Sequence, residues 1–100
     1  MTHTILLVQP EKSPTSRTFM DFESVPQAMD GICGMFERKL KTTHRNQPNI
    51  TYSAEDLFRY IDGLPDLVAM VLNQQMGAYV PHNKEWIKQK TFDHLKKQMG

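Results

Sequence analysis

Ile5-Leu6-Leu7-Val8 and Leu67-Val68-Ala69-Met70-Val71-Leu72 are the two stretches of sequence that decide the fold. Neither stretch alternates apolar with polar residues, as a strand with one solvated face does. Each one therefore predicts a strand that is buried on both faces. A chain of 100 residues has few elements with which to cover both sides of a sheet. We expect a second copy, or a different protein, to cover one of them.

The composition is that of a single globular domain, which we place at residues 1–100. The net charge of +1 argues against a strongly basic nucleic-acid-binding protein. Cys33 is the only cysteine and cannot form an internal disulfide, which is typical of a reducing compartment. The N-terminus lacks a basic region, and no apolar stretch reaches the length of a signal peptide or a membrane span. We therefore expect a soluble intracellular protein.

The remaining sequence predicts strands and amphipathic helices in two similar halves. The predicted elements are strands over 3–9 and 17–22, helices from Ser24 to about Lys41 and from Ser53 to Gly63, strands over 67–72 and 78–81, and a helix from Lys84 to about Gln98. Ser24 with Gln27, and Ser53 with Asp56, have the spacing of helix N-caps. A polar segment with Pro48 follows the first helix. The first helix carries an apolar stripe made of Val25, Met29, Ile32, Phe36 and Leu40.

This order, β-β-α-α-β-β-α, predicts an α+β domain: a four-stranded antiparallel sheet with three amphipathic helices on one face. Alternation along the first strand places Ile5 and Leu7 on one face and Leu6 and Val8 on the other. One pair meets the helices and the other stays uncovered. Covering ~400 Å² of apolar surface per subunit, at ~25 cal/mol per Å², favours association by ~10 kcal/mol per subunit before entropic costs. We expect a homodimer through the open sheet face, with an interface that contains Ile5, Leu7, Met70 and Tyr79.

No pattern in the sequence is typical of catalysis or metal binding. The histidines, at positions 3, 44, 82 and 94, have none of the spacings of a zinc site. Nothing next to Cys33 would activate its thiol, and no glycine-rich phosphate loop is present. The carboxylates have spacings that also suit helix caps and solvated faces. We expect no enzymatic activity, no metal and no cofactor, and a small enzyme is the least favoured alternative.

Two other features leave alternatives open. The last helix is rich in lysine, which fits either a solvated helix face or a direct contact with RNA phosphates. Near-neutral net charge favours the solvated face. Gly31 and Gly34 lie inside the first helix, where each costs roughly 1 kcal/mol relative to alanine. They indicate either tolerance in a well-packed helix or the close approach of another backbone.

Blocks of sequence along the whole chain carry a resemblance to a known family. They are His3-Thr4-Ile5-Leu6-Leu7 with Gln9, the run from Arg17 to Val25, Met29-Asp30-Gly31-Ile32-Cys33, Ile61-Asp62-Gly63-Leu64, and the run from Tyr79 to Lys88. In these blocks the chain resembles the enhancer of rudimentary family over essentially all 100 residues. The amino-acid sequence of residues 29–31 and 86–92 is most similar to that of plant-like members.

The resemblance implies a small nuclear adaptor without enzymatic activity, with the cytoplasm as a second possible location. Proteins of this family are α+β homodimers that pack their sheets face to face, and in this chain the dimer face maps onto Ile5 and Leu7. They are implicated in splicing, mRNA decay and microRNA maturation through RNA-binding partners, and in gene expression and the cell cycle. Their name reflects a genetic link to pyrimidine biosynthesis. Proposed phosphorylation by casein-kinase-type enzymes maps onto Thr18, which has an acid three residues later, and onto Ser24, which has Gln27 there.

Overall fold

The computed structural model describes residues 2–43 and 52–99 and has the predicted α+β architecture. Its strands are β1 (Thr4–Gln9), β2 (Thr18–Phe22), β3 (Asp66–Asn73) and β4 (Ala78–His82), and its helices are α1 (Val25–Thr43), α2 (Ala54–Gly63) and α3 (Lys84–Met99). The predicted order of elements is confirmed. α1 runs past Lys41 to Thr43, and the hydroxyls of Thr42 and Thr43 donate to carbonyl oxygens one turn earlier. The predicted polar segment with Pro48 lies outside the described residues.

The sheet has the strand order β2-β1-β3-β4, and all neighbours are antiparallel. β1 and β3 are the two central strands, and the helices cover only one of their two apolar faces. Leu6, Val8, Leu67 and Ala69 point to the helices and are buried. The face that carries Ile5 opposite Met70 is turned away from the helices.

All three helices pack on one face of the sheet and form the core with it. The buried apolar side chains from the helices and the residue after α2 are Ala28, Met29, Ile32, Cys33, Phe36, Leu57, Ile61, Leu64 and Ile87. Val25 and Leu40, at the ends of the predicted stripe, pack against this core while partly buried. Cys33, the single cysteine, is 4% exposed and belongs to this core. None of the helices within residues 2–43 and 52–99 is long and apolar enough to cross a membrane.

The helix starts follow the predicted caps, with one difference. Ser53 and Asp56 form a complete capping box, in which each side chain accepts from the other residue's backbone N–H. Ser24 Oγ accepts from the N–H of Gln27 at 3.3 Å, but Gln27 Oε1 accepts from Glu23 rather than from Ser24. The capping box predicted for Ser24 with Gln27 is therefore only half formed.

Candidate interaction surface

The side of the sheet opposite the helices is apolar, and no element among the described residues covers it. We call this side the open face; its central side chains are Ile5, Leu7, Val68, Met70 and Leu72. Leu7 is 43% exposed, and Phe19 on the neighbouring strand is 65% exposed. Contiguous apolar surface of this kind is typical of an interface with another molecule.

The structure places all four residues predicted for a dimer interface on the open face. Ile5 lies directly opposite Met70, and Leu7 lies one side-chain row away on the same strand. Tyr79 belongs to the edge strand β4, opposite Leu72, and is 38% exposed. Phe19 was missed, although it lies opposite Leu7 and is the more exposed of the pair. The alternation along β2, which places Phe19 and Phe22 on opposite faces of the strand, is the sequence signal that could have found it.

A polar cluster closes one end of the open face. His3 Nδ1 and the Tyr79 hydroxyl share a hydrogen bond of 2.7 Å, with the two rings edge to face. His3 Nε2 lies 4.0 Å from a carboxylate oxygen of Asp21. These contacts connect the residue before β1 with both edge strands. They hold the Tyr79 ring at the rim of the apolar surface.

A second polar cluster closes the opposite end. Arg17 Nε donates to Gln9 Oε1 at 2.8 Å, and Gln9 Nε2 donates to the carbonyl oxygens of Glu11 and Lys12. The β1–β2 loop is therefore held against the sheet, and the Arg17 side chain has a fixed direction. A cleft of about 490 Å³ opens beside this cluster, between the Arg17–Phe19 segment and Asp66.

The residues predicted for phosphorylation lie away from the centre of the open face. Thr18 is exposed on β2, opposite Val8, so its side chain and that of Asp21 point to opposite faces of the strand. Ser24 lies at the start of α1 and is half-buried, with its hydroxyl accepting from Gln27. Both assignments stay predictions.

Four of the five lysines of α3 contact other groups within the molecule. Lys88 Nζ lies 3.0 Å from carboxylate oxygens of both Asp62 and Glu85, and these hydrogen bonds raise its pKa. Lys84 donates to the main-chain oxygens of Asp62 and Leu64 at the end of α2. Lys90 and Lys96 lie over the rings of Trp86 and Phe92, at 5.6 and 5.2 Å from the centroids. Lys84 and Lys88 therefore join α3 to the end of α2.

Cys33 has the environment of a structural thiol. Burial, together with the nearby charges of Glu37 and Asp30, raises its pKa to about 11. The thiol is therefore protonated at neutral pH, and the protonated form is a poor nucleophile. Across the described ranges, no group of three or more His, Cys, Asp or Glu residues could hold a metal ion.

Comparisons with known proteins agree with the sequence blocks. The family described as enhancer of rudimentary matches residues 1–100. The chain is similar to the enhancer of rudimentary homolog of Arabidopsis thaliana, at 53% identity over 95% of this chain and 87% of that protein. The homolog of Dictyostelium discoideum is 53% identical over 97% of each chain. That of Caenorhabditis elegans is 38% identical over 100% of this chain and 97% of the relative.

Proposed function

The chain belongs to the enhancer of rudimentary family, and we propose that it is a non-enzymatic homodimeric adaptor for RNA-processing proteins in the nucleus. Its partners would act in splicing, mRNA decay or microRNA maturation, and through them it would support gene expression and the cell cycle. The observation that carries this proposal is the open face of the sheet. An apolar surface built from two central strands is suited to binding another molecule.

A second copy of the chain is the occupant that we propose for the open face. The centre of the face, around Leu7 and Met70, is apolar, and the polar clusters of His3 and Arg17 stand at its two ends. Two copies related by a twofold axis bring the same patch together and leave no patch unmatched. Side chains on a sheet stand perpendicular to it, so two open faces can interdigitate as in a sheet-on-sheet core.

Partner segments would bind beside this dimer seam. The cleft of about 490 Å³ next to Arg17 and Phe19 lies at the margin of the open face. A second copy packed on Leu7 would form a further wall of the same cleft. The adaptor role then depends on the dimer, because each groove is completed by the neighbouring subunit.

Direct RNA binding through α3 is the alternative function, and the contacts of its lysines weigh against it. Lys84 and Lys88 are held by groups at the end of α2, so a phosphate would have to compete with neighbours already in place. A protein that uses lysines for RNA shows affinity that falls steeply with salt. Salt-sensitive RNA binding by the purified chain, lost in Lys90→Gln with Lys97→Gln, would favour the alternative.

Sedimentation of the Leu7→Arg variant tests the dimer. Leu7 is already 43% exposed, so the isolated fold can accept an arginine there, whereas a closed apolar interface cannot. We expect a dimer for the wild type and a folded monomer for Leu7→Arg. Met76→Arg is the matched control, because Met76 is 69% exposed in the β3–β4 turn and lies away from the centre of the open face. A monomeric wild type, or an unchanged dimer in Leu7→Arg, would refute the proposal.

Affinity capture from nuclear extract tests the adaptor role. Wild type and Met76→Arg should retain the same RNA-processing proteins, and Leu7→Arg should lose them together with the dimer. Partners that remain bound to a monomeric Leu7→Arg would show that the binding groove does not need the second subunit. Recovery of no RNA-processing protein by the wild type would contradict the proposed function.

A further inference from the structure

We propose that the outer edge of β2 is a docking strand, to which an extended segment of a partner protein adds as a fifth strand of the sheet. The inference rests on the adaptor role proposed above and specifies how a partner is held. It follows from the direction in which the backbone groups of β2 point.

The register of the sheet fixes that direction. Leu72 donates its backbone N–H to the carbonyl oxygen of His3 at 3.0 Å, which identifies His3 and Leu72 as a hydrogen-bonded pair. Hydrogen-bonded pairs alternate along an antiparallel ladder, so odd-numbered β1 residues face β3 and even-numbered ones face β2. On β2 the even-numbered residues therefore face β1. Phe19 and Asp21 direct their N–H and C=O groups outward, away from the sheet.

The free stretch of the β2 edge has defined limits. Before it, the N–H of Arg17 donates to the carbonyl oxygen of Pro14. After it, the N–H of Glu23 donates to Gln27 Oε1. Within residues 2–43 and 52–99, no group pairs with the backbone of Phe19 or Asp21. Unpaired groups of this kind are the usual template for the addition of a strand.

The opposite edge of the sheet is protected, which sets β2 apart. The same alternation makes Tyr79 and Pro81 the outward residues of β4. Pro81 has no N–H to offer, and proline on an edge strand is a common means of preventing further pairing. β2 carries no proline and no lysine. An added strand is therefore expected on β2 and not on β4.

The side chains next to this edge indicate the chemistry of the segment. Phe19 is 65% exposed at the margin of the open face and offers an apolar contact to alternate residues of an added strand. The Arg17 side chain is held in place through its Nε by Gln9, and among the described residues only Gln9 accepts from that side chain. Its two Nη groups are thus available to a carboxylate. We expect an extended segment that combines an apolar residue with an acidic one.

A second copy of the chain fits this edge less well than a separate segment does. The free edge is short, and the Pro14–Ser16 turn and the start of α1 flank it, so a second β2 would bring the same bulky flanks against the first. In addition, each dimer joined through its open faces would present two β2 edges, so edge pairing between dimers would build a larger assembly, either a closed tetramer or an open chain. An extended partner segment meets neither difficulty.

The test uses peptides selected from a random 12-residue display library on the purified wild-type chain. Selected peptides should bind the Asp21→Ala variant with the same affinity as the wild type, because alanine keeps the outward N–H. Binding to Asp21→Pro should fall about ten-fold, since proline removes that donor and leaves the ladder with β1 intact. Arg17→Gln should weaken peptides that carry an acidic residue and make their binding less sensitive to salt.

Amide hydrogen exchange locates the site directly. The amides of Phe19 and Asp21 should exchange fast in the free protein and become protected when the peptide is bound. Equal peptide affinity for Asp21→Pro and Asp21→Ala, or protection confined to other amides, would overturn the inference. So would a wild-type tetramer that Asp21→Pro converts to dimers, because a second copy would then occupy the edge. The dimer is tested separately, since Asp21→Pro should sediment like the wild type whereas Leu7→Arg should not.

Discussion

Gly31 and Gly34 lie in the same helix but have different surroundings. A Cβ atom on Gly31 would lie 2.5 Å from Cζ of Phe22, so the ring of a β2 residue occupies the space that a side chain would need. A Cβ on Gly34 would meet only the Arg38 side chain, at 3.8 Å, within the described part of the chain. The close approach expected from sequence therefore exists at Gly31, but it involves a side chain and not another backbone.

Alanine at these two positions should have opposite effects on stability. Gly34→Ala should raise the free energy of unfolding by about 0.5–1 kcal/mol, because alanine is the better helix former and the site is open. Gly31→Ala should lower it by about 1 kcal/mol, because the ring of Phe22 must shift. Urea unfolding of both variants measures the difference. Equal stabilisation by the two substitutions would show that Phe22 moves aside without cost.

His82 stacks on Trp86, with ring centroids 4.0 Å apart and planes 17° from parallel. Burial, and then the charge of Lys90, lower the pKa of His82. The folded state therefore favours the neutral ring, while the unfolded chain titrates near pH ~6.5. The resulting stabilisation is fully present above that pH, and it is lost as the pH falls through the lower pKa of the folded state.

Replacement of His82 by phenylalanine should reduce the acid sensitivity of the fold. Phenylalanine keeps a ring against Trp86 and cannot be protonated, so His82→Phe should lose less stability than the wild type between pH 7.5 and pH 5. Urea unfolding at the two pH values tests this. In a separate NMR titration, Lys90→Gln should raise the pKa of His82. A pH dependence that is identical in wild type and His82→Phe would contradict the prediction.

The short helix α2 depends on its N-cap more than the longer α1 does. Ser53 and Asp56 satisfy each other's backbone N–H groups, and the hydrogen bonds from Ser53 lower the pKa of Asp56. α2 has 10 residues, with Leu57 and Ile61 buried, whereas α1 has 19 residues and a larger buried face. A helix of such limited length is marginal without a cap and tertiary contacts.

Ser53→Ala should therefore destabilise the protein by about 1 kcal/mol, within the usual range for loss of an N-cap. Ser53→Asp is the matched control and should retain most of the stability, because its carboxylate can accept from the same N–H. Ser24→Ala, at the half-formed capping box of α1, should cost no more than Ser53→Ala. Thermal unfolding of the three variants gives the order of their stabilities. A larger loss of stability in Ser24→Ala than in Ser53→Ala would contradict the prediction.

The sequence predicted the elements well because the signals for each are local. Alternation along β1 separated Ile5 and Leu7 from Leu6 and Val8, and the structure keeps that division. The cap at Ser53 and the helix end near Gly63 were likewise visible in neighbouring residues. For the same reason, the predicted interface residues fall on one face of the sheet.

The arrangement of the strands had no comparable local signal. The pairing of β1 with β3 joins residues more than fifty positions apart, and no short pattern encodes it. Without that pairing, neither the edge position of β2 nor the outward direction of Phe19 and Asp21 could be derived. The half-formed capping box at Ser24 also had no local signal, because Gln27 Oε1 accepts from the backbone N–H of Glu23 and not from that of Ser24.

The molecule as a whole combines a well-filled core on one side of the sheet with an uncovered apolar surface on the other. Residues such as Leu6 and Ala69 are 0% exposed on the helix side, while Leu7 is 43% exposed on the open face. In a monomer, the exposed part of the open face stays in contact with water and does not contribute to hydrophobic stabilisation. In a dimer it becomes a second core, so folding and association are linked.

The thermal stability of the wild type should therefore depend on protein concentration. Mass action raises the stability of a dimer by about 1.4 kcal/mol for each ten-fold increase in concentration, so the midpoint of thermal unfolding should rise over an about hundred-fold range. Leu7→Arg removes the association, and its midpoint should be lower and independent of concentration. Met76→Arg should keep the slope of the wild type, because Met76 lies in the β3–β4 turn. Circular dichroism measures all three. A wild-type midpoint that does not change with concentration would contradict the proposed link between folding and association.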